Sequence, residues 1–289
     1  MTLRAADARN AAVAQVAARL AAAGVADSGR EAILLVRRAA DVSAAAYIAD
    51  PAAPLGAAAA RVERFAQRRE RREPLSRIEG RREFWGLDFA VTPDVLDPRP
   101  DTETLVEAAL AGLGARKGEA LRVLDFGTGS GAILAALLSE WPQASGLGID
   151  ASEAAAAVAQ RNLSGFGARA RVRVGGWGAG VEGAFDVIVS NPPYIRSGDI
   201  VGLDEEVRAH DPALALDGGA DGLDAYRALA PDIARLLAPQ GRFFVEIGRR
   251  QGDEVVAILA GAGLAVVERR RDLGGIERAL GGLREGETR

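Results

Sequence analysis

The apolar run Val187-Ile188-Val189-Ser190 ends in Asn191-Pro192-Pro193-Tyr194, and these four residues suggest a specific chemistry. Two successive prolines fix φ and remove two backbone donors. The segment therefore presents acceptors, the Asn191 side-chain oxygen and the Pro192 carbonyl, next to the flat face of Tyr194. An amide or exocyclic amino nitrogen is a poor nucleophile because its lone pair is delocalised. Two acceptors can grip its two N–H bonds, aim the lone pair at an electrophile, and stabilise the positive charge that grows on the nitrogen. An aromatic ring can stack on the planar group and orient it. A proline turn closing a strand is the plainer reading of the same residues, and a second motif upstream weighs against it.

That motif is Val123-Leu124-Asp125-Phe126-Gly127-Thr128-Gly129-Ser130-Gly131, a glycine-rich turn between an apolar strand and a helix. Glycine permits the tight turn and lets a ligand approach the backbone. Asp150 follows the next apolar strand, Gly146 to Ile149, where a carboxylate can accept hydrogen bonds from both ribose hydroxyls of an adenosine-type cofactor. A dinucleotide site has Gly-x-Gly-x-x-Gly spacing, which brings a pyrophosphate to the helix N-terminus. The spacing here is Gly-x-Gly-x-Gly, preceded by Asp125. It favours S-adenosylmethionine, which carries no phosphate, over NAD.

Composition narrows the classes. With no cysteine and one histidine, His210, the chain has no disulfide framework, thiolate metal site, cysteine nucleophile or multi-histidine metal site, and no metal is expected. The net charge of −4 argues against a generally basic nucleic-acid binder. Arg61 to Arg82 is the strongest local basic patch, and a solvated helix face is its plain alternative. No run approaches the roughly 20 apolar residues that span a bilayer; the alanine- and arginine-rich N-terminus has a faint likeness to a transit peptide but lacks a continuous apolar stretch followed by a cleavage site, and is expected to be a helix of the mature protein. The expectation is a cytoplasmic protein, by default a monomer.

The elements that must position these residues fall into three stretches. Residues 1 to about 75 show helical spacing of Val13, Val16, Leu20, Ile33, Leu34, Val36, Val62 and Phe65, which predicts a bundle of four or five short helices ended by Pro74. Alternation from Glu83 to Val95, with Gly86 at a turn, predicts a β-hairpin. From Leu121 onward strand and helix alternate. The strand candidates are 122–126, 146–149, 172–174, 185–190, 241–247 and 265–268; helices are expected over 102–113, 132–138, 153–162, 225–237 and 253–260. This order implies an α/β fold with a mostly parallel sheet, whose ligands bind beyond the carboxyl ends of the strands. The domain reading is 1–78 helical, 79–98 hairpin linker and 99–289 catalytic.

The sequence resembles the bacterial peptide chain release factor glutamine methyltransferases over most of its length. Besides Asn191 to Tyr194, the resemblance rests on Pro74-Leu75-Ser76-Arg77-Ile78, Glu83-Phe84-Trp85-Gly86-Leu87, Pro98-Arg99-Pro100-Asp101-Thr102-Glu103, His210-Asp211-Pro212 and Ala215-Leu216-Asp217-Gly218-Gly219. It implies a class I methyltransferase Rossmann-like fold with a seven-stranded sheet. The implied activity is methyl transfer from S-adenosylmethionine to the glutamine amide of the Gly-Gly-Gln loop of release factors, gripped with help from the N-terminal helices. It further implies that Gly127, Thr128, Gly129, Ser130, Gly131, Asp150, Trp177 and Asn191 contact the cofactor, and that Asn191, Pro192, Pro193 and Tyr194 form the glutamine pocket. The chain departs from the family at Gly176, where an acidic residue usually precedes the tryptophan, at Asp97, usually aliphatic, and at Asp211, often glutamate. Glu246 closes a strand as in the family. The four-residue motif alone also fits a nucleic-acid adenine methyltransferase, and a very similar scaffold methylates a ribosomal-protein glutamine. The acidic balance and the helical N-terminal region favour the release-factor reading, without direct nucleic-acid binding.

Overall fold

The computed structural model describes residues 2–287. The chain forms two compact units. One takes the chain up to Glu79 together with Glu205–His210, and the other takes Gly80–Asp204 with the chain from Asp211 on.

The first unit is helical: α1 (Arg9–Ala22), α2 (Ser28–Ala39), α3 (Ala44–Ala49), α4 (Ala59–Glu70) and α5 (Leu75–Glu79). Val16 and Leu20 of α1, Leu35 and Val36 of α2, and Val62 and Ala66 of α4 share one face of their helices and form its core. Pro74 does not end the bundle as the sequence suggested. It precedes the first turn of α5, where a missing N–H costs nothing, and its carbonyl accepts from the amides of Arg77 and Ile78. Arginines of the expected basic patch are tied to carboxylates. Arg68 pairs with Glu73, Arg69 with Glu31 at 2.6 Å, and Arg72 with Glu206 at 2.6 Å. Glu206 comes from Glu205–His210, a short helix that sequence pattern alone assigned to the catalytic region.

The second unit opens with the hairpin β1 (Arg81–Phe84) and β2 (Leu87–Ala90). Its turn residues, Trp85 and Gly86, both have positive φ, at 55° and 70°, the conformation that matches the twist of a two-residue hairpin. There follow α6 (Glu103–Gly112), β3 (Arg122–Phe126), α7 (Ala132–Glu140), β4 (Ser145–Asp150), α8 (Glu153–Asn162), β5 (Ala170–Val174) and β6 (Phe185–Ser190). After the short helix α9 (Glu205–His210) come α10 (Asp224–Leu236), β7 (Leu237–Glu246), α11 (Gly252–Gly261), β8 (Leu264–Arg271) and β9 (Glu277–Arg284). The sheet order is β5-β4-β3-β6-β7-β9-β8. β3 through β7 pair in parallel, and β9 runs antiparallel to both β7 and β8. Two apolar clusters cover the sheet, one holding Leu134, Leu137 and Trp141, the other Tyr226, Leu229 and Ile233. The reversal of order between β3–β4 and β3–β6 opens a crevice at the carboxyl edge, where β3, β4 and β6 end together.

The alternating pattern did not place β9. Its centre is Gly281-Gly282, and glycine pairs depress strand propensity. The sheet needs them there: a Cβ on Gly281 would lie 2.8 Å from the Phe244 ring, and one on Gly282 would lie 2.4 Å from the Phe243 ring.

Candidate active site

Two loops at the carboxyl edge of the sheet build the site. The first leaves β3. Gly127, Gly129 and Gly131 all take positive φ, at 66°, 54° and 80°, a conformation that costs a residue with Cβ about 1 kcal/mol or more. β4 braces this turn. The Asp150 carboxylate accepts from the Gly129 amide at 2.9 Å through Oδ2 and from the Ser152 amide at 2.9 Å through Oδ1. Thr128 turns its hydroxyl inward and donates to Asp125 Oδ2 at 2.7 Å. The bare Cα of Gly148 makes room for it, since a Cβ there would sit 2.8 Å from Thr128 Oγ1. Asp125 is fully buried. Burial pushes its carboxyl up to about 7, with the Thr128 hydrogen bond opposing the rise.

The second loop leaves β6. The Ser190 hydroxyl donates to the Phe126 carbonyl at 2.9 Å and locks the ends of β6 and β3 together. The Asn191 side chain donates through Nδ2 to Thr102 Oγ1 at 3.1 Å. Its carbonyl oxygen makes no hydrogen bond among the described residues. Behind it, the Tyr194 hydroxyl donates to Glu246 Oε1 at 3.3 Å. The backbone of this loop is held by a neighbouring segment. Ile195 pairs with Leu216 and Gly218 through their main chains, and Gln251 Nε2 donates to the Tyr194 carbonyl at 3.0 Å. A Cβ on Gly218 would lie 2.9 Å from the Pro193 oxygen and from the Tyr194 Cα. Glu246 ends β7 and is only 2% exposed. Burial pushes its carboxyl up to about 7, against the lowering effects of Thr102, Arg278 and Tyr194. Burial, together with the neighbouring Glu246 charge, also raises the Tyr194 phenol, which stays protonated.

A cleft of about 290 Å³ runs between the two loops. Of the residues singled out from the sequence, Gly127, Thr128, Gly129, Ser130, Asp150, Trp177, Asn191 and Pro193 line it. Gly131, Pro192 and Tyr194 are not among its walls. Gly131 lies against Leu163 of the segment after α8, where a Cβ would meet that side chain at 3.1 Å. Pro192 is buried, and Tyr194 packs on the apolar cluster beneath the loop. Trp177 takes a φ of 38° and sets its ring at 79° to Phe126, with centroids 6.5 Å apart. The structure adds Phe84, Arg99, Thr102, Ser152 and Leu214 to the walls. Thr102 lies within the Pro-Arg-Pro-Asp-Thr-Glu run noted in the sequence, but nothing local marked its contact with Asn191. Arg99 is neutralised by a salt bridge to Asp211.

This lining suits one kind of ligand. Apolar walls from Ile149 and Trp177 flank a carboxylate whose two oxygens each keep a lone pair after binding one backbone amide. Such a pocket accommodates a flat base and a ribose diol. Among the described residues Arg99 is the one cation in the lining, and it already has a partner, so the cleft is poorly made for a diphosphate. No group of three or more metal-ligating side chains occurs among the described residues.

The methyltransferase small domain family matches residues 103–206, and the PrmC N-terminal domain family matches residues 11–80. The release factor glutamine methyltransferase of Rhodospirillum rubrum is 51% identical over 265 residues, covering 91% of this chain and 81% of its own. That of Cereibacter sphaeroides is 45% identical, covering 96% and 98%. A methyltransferase structure from Pyrococcus furiosus superposes with a TM-score of 0.50 at 19% identity, over 69% of this chain and 90% of that one, and so shares the fold. At this level of identity and coverage, the chain belongs to the release factor glutamine methyltransferase family.

Proposed function

We propose that the protein transfers a methyl group from S-adenosylmethionine to the side-chain amide nitrogen of the glutamine in the Gly-Gly-Gln loop of peptide chain release factors. The observation that carries this reading is the set of the Asn191 amide. Its Nδ2 is committed to Thr102, which leaves an acceptor at the end of β6, beside the glycine turn. The acceptor suits a substrate that offers N–H bonds, as a carboxamide does. The curated relatives named for release factor glutamine methylation, which match nearly the whole chain, support the choice of substrate.

When bound, S-adenosylmethionine supplies an electrophilic methyl group on its sulfonium. Asp150 would hold its ribose hydroxyls, Trp177 and Ile149 would flank its adenine, and the turn from Gly127 to Gly131 would let it approach the backbone. Asn191 Oδ1 and the Pro192 carbonyl accept the two N–H bonds of the substrate amide and turn its lone pair toward the methyl. Their pull grows as the nitrogen becomes positive, so they bind the transition state more tightly than the ground state. Pro193, which lines the cleft, fixes the plane of the amide, and Tyr194 supports the loop from beneath. No side-chain base is required, because the methylated nitrogen is acidic enough to shed its proton to water. The domain reading is carried forward in the same terms: the helical residues up to about 78 help to grip the protein substrate, and residues 99–289 bind the cofactor. The protein acts as a monomer, in the cytoplasm, without binding nucleic acid.

The test is mass spectrometry after reaction of a single enzyme preparation with release factors, ribosomal proteins and DNA. Methylation confined to the Gly-Gly-Gln glutamine is expected, and Asn191→Ala abolishes it without lowering Tm. Methylation of ribosomal protein or DNA in its place, or full activity of Asn191→Ala, overturns the reading.

A further inference from the structure

One side-chain amide joins two of the segments that wall the cofactor cleft. Asn162 is the last residue of α8. Its Oδ1 accepts from the Ala90 amide at 2.9 Å, and its Nδ2 donates to the Ala90 carbonyl at 3.0 Å and to the Ser130 carbonyl at 2.9 Å. These partners fix the orientation of the amide, because a flipped Asn162 would set its NH₂ group against an N–H and its oxygen against two carbonyls. The pairing with Ala90 follows from the register of the hairpin. Ala90 stands opposite Arg81, and Val91, one step further on, donates to the Gly80 carbonyl. Opposed residues of an antiparallel ladder alternate between bonded and non-bonded pairs. Ala90 therefore turns its N–H and C=O away from β1, and Asn162 meets both as a neighbouring strand would.

Both ends of this link belong to the cleft. Ala90 opens the segment that supplies Asp94, Val95, Leu96, Pro98 and Arg99 to its walls. Val91 and Val95 of that segment pack on Ala155 and Val158 of α8, and Arg82 Nε donates to the Pro98 carbonyl at 3.2 Å. Ser130 is buried in the glycine turn and lines the same cleft. The turn rests on the same end of α8, since a Cβ on Gly131 would lie 3.1 Å from the Leu163 side chain and 3.5 Å from the Ala159 Cα. Apolar packing is non-directional and sets no register along the segment. Three hydrogen bonds from one planar amide do set it, because each has a preferred length and angle.

We propose that Asn162 is a positioning residue which fixes the segment from Ala90 to Arg99 against the Ser130 carbonyl, and so sets the width of the cleft that S-adenosylmethionine enters. The inference relies on the cofactor and not on which protein is methylated, so it stands or falls apart from the functional reading above. Were Asn162 only a stabilising end to α8, its loss would lower Tm and leave cofactor affinity unchanged.

The experiment compares Asn162→Ala, Asn162→Asp and Ala90→Pro with the wild type. It uses calorimetry of S-adenosylmethionine binding, thermal scans and single-turnover methylation of a purified release factor. Asn162→Ala should raise the cofactor Kd by about five-fold or more. Asn162→Asp keeps the acceptor for Ala90 but sets an anion against two carbonyl oxygens, and should raise the Kd by about ten-fold or more. Ala90→Pro removes only the N–H that Asn162 accepts, because that N–H faces away from β1 and an edge strand tolerates proline. It should raise the Kd by about three-fold in the wild-type background and add nothing in Asn162→Ala. At saturating cofactor the variants should methylate within about three-fold of the wild-type rate, because Asn191 hangs from β6. A cofactor Kd within about two-fold of wild type in both Asn162 variants overturns the proposal, whatever happens to Tm. So does an Ala90→Pro penalty of the same size with and without Asn162. If the Asn162 variants fail to fold, Ala90→Pro decides alone, and an unchanged Kd in it overturns the proposal. A wild-type enzyme that binds the cofactor yet leaves release factors unmethylated overturns only the functional reading.

Discussion

Asp150 Oδ2 and the Gly129 amide meet at 2.9 Å, so the last residue of β4 holds the middle of the glycine turn that follows β3. The sequence suggested a carboxylate waiting for a ribose. The structure makes it a brace as well, because Oδ1 also takes the Ser152 amide at the start of α8. Asp150→Asn puts an NH₂ group against one of these two backbone N–H groups, whichever way the amide turns. The turn then loses a hydrogen bond and gains a donor–donor conflict. The expected result is a cofactor Kd raised by about ten-fold or more, equivalent to about 1.4 kcal/mol. Calorimetry with an unchanged Kd would show that neither the brace nor the diol contact matters.

Gly176 stands next to Trp177 with nothing within 4 Å of the position a Cβ would take. The resemblance implies an acidic residue here, as an acceptor for the adenine amino group. The space for that side chain is intact, so the departure removes a hydrogen bond without repacking the wall. Gly176→Asp should therefore tighten S-adenosylmethionine binding by about 0.5–1.5 kcal/mol, the net value of one hydrogen bond. Weaker or unchanged binding in a titration would count against the placement of the adenine at this wall.

Gly218 has no room for a side chain. Its missing Cβ would crowd the Pro193 oxygen, the Tyr194 Cα and the Gly222 oxygen, each at 2.9 Å. All three are backbone atoms, so a methyl group there must move the loop that carries Asn191. Gly218→Ala should slow methyl transfer by about ten-fold or more through misplacement of the acceptors. Cofactor affinity should hold, because the glycine turn and Asp150 hang from β3 and β4. A parallel loss of cofactor affinity would mean the two loops are mechanically coupled.

The parts of the site that were legible in sequence are those with a local signature. Gly127 to Gly131 follow an apolar strand, and Asn191 to Tyr194 end one, so strand-to-loop position could be read directly. Their partners could not. Thr102 is distant in sequence from Asn191, and Glu246 from both; the pairing of β6 with β7 sets the ends of those two strands side by side, and Thr102 reaches Asn191 from the turn before α6. Likewise β9 was hidden because Gly281 and Gly282 answer to the rings of Phe244 and Phe243, a packing demand without a local pattern. Glu205–His210 joins the helical unit through Glu206 and its two arginines, Arg69 and Arg72, which is again a contact across the chain.

The buried carboxylates predict opposite pH responses in the two units. Burial holds Asp125 and Glu246 at about 7, well above the ordinary carboxylate range. A raised folded-state value means the folded protein binds the proton more tightly than the unfolded chain, so the stability these groups lend is full below about pH 4 and is lost as pH rises through about 7. Glu206 in the helical unit behaves in the reverse way. Burial alone would raise it, but hydrogen bonds from Arg72 and Arg69 bring it down to about 2. Its contribution is present above its unfolded value near 4.5 and disappears as pH falls toward 2. Acidification from pH 8 to 6 should thus raise the Tm of the wild-type protein, and Asp125→Asn combined with Glu246→Gln should flatten that rise. Between pH 4.5 and 2 the helical unit should be lost, and Glu206→Gln should weaken it already at neutral pH while removing this acid step. Calorimetric scans across the two windows check both signs, and a wild-type Tm that falls between pH 8 and 6 would refute the assignment for the catalytic unit.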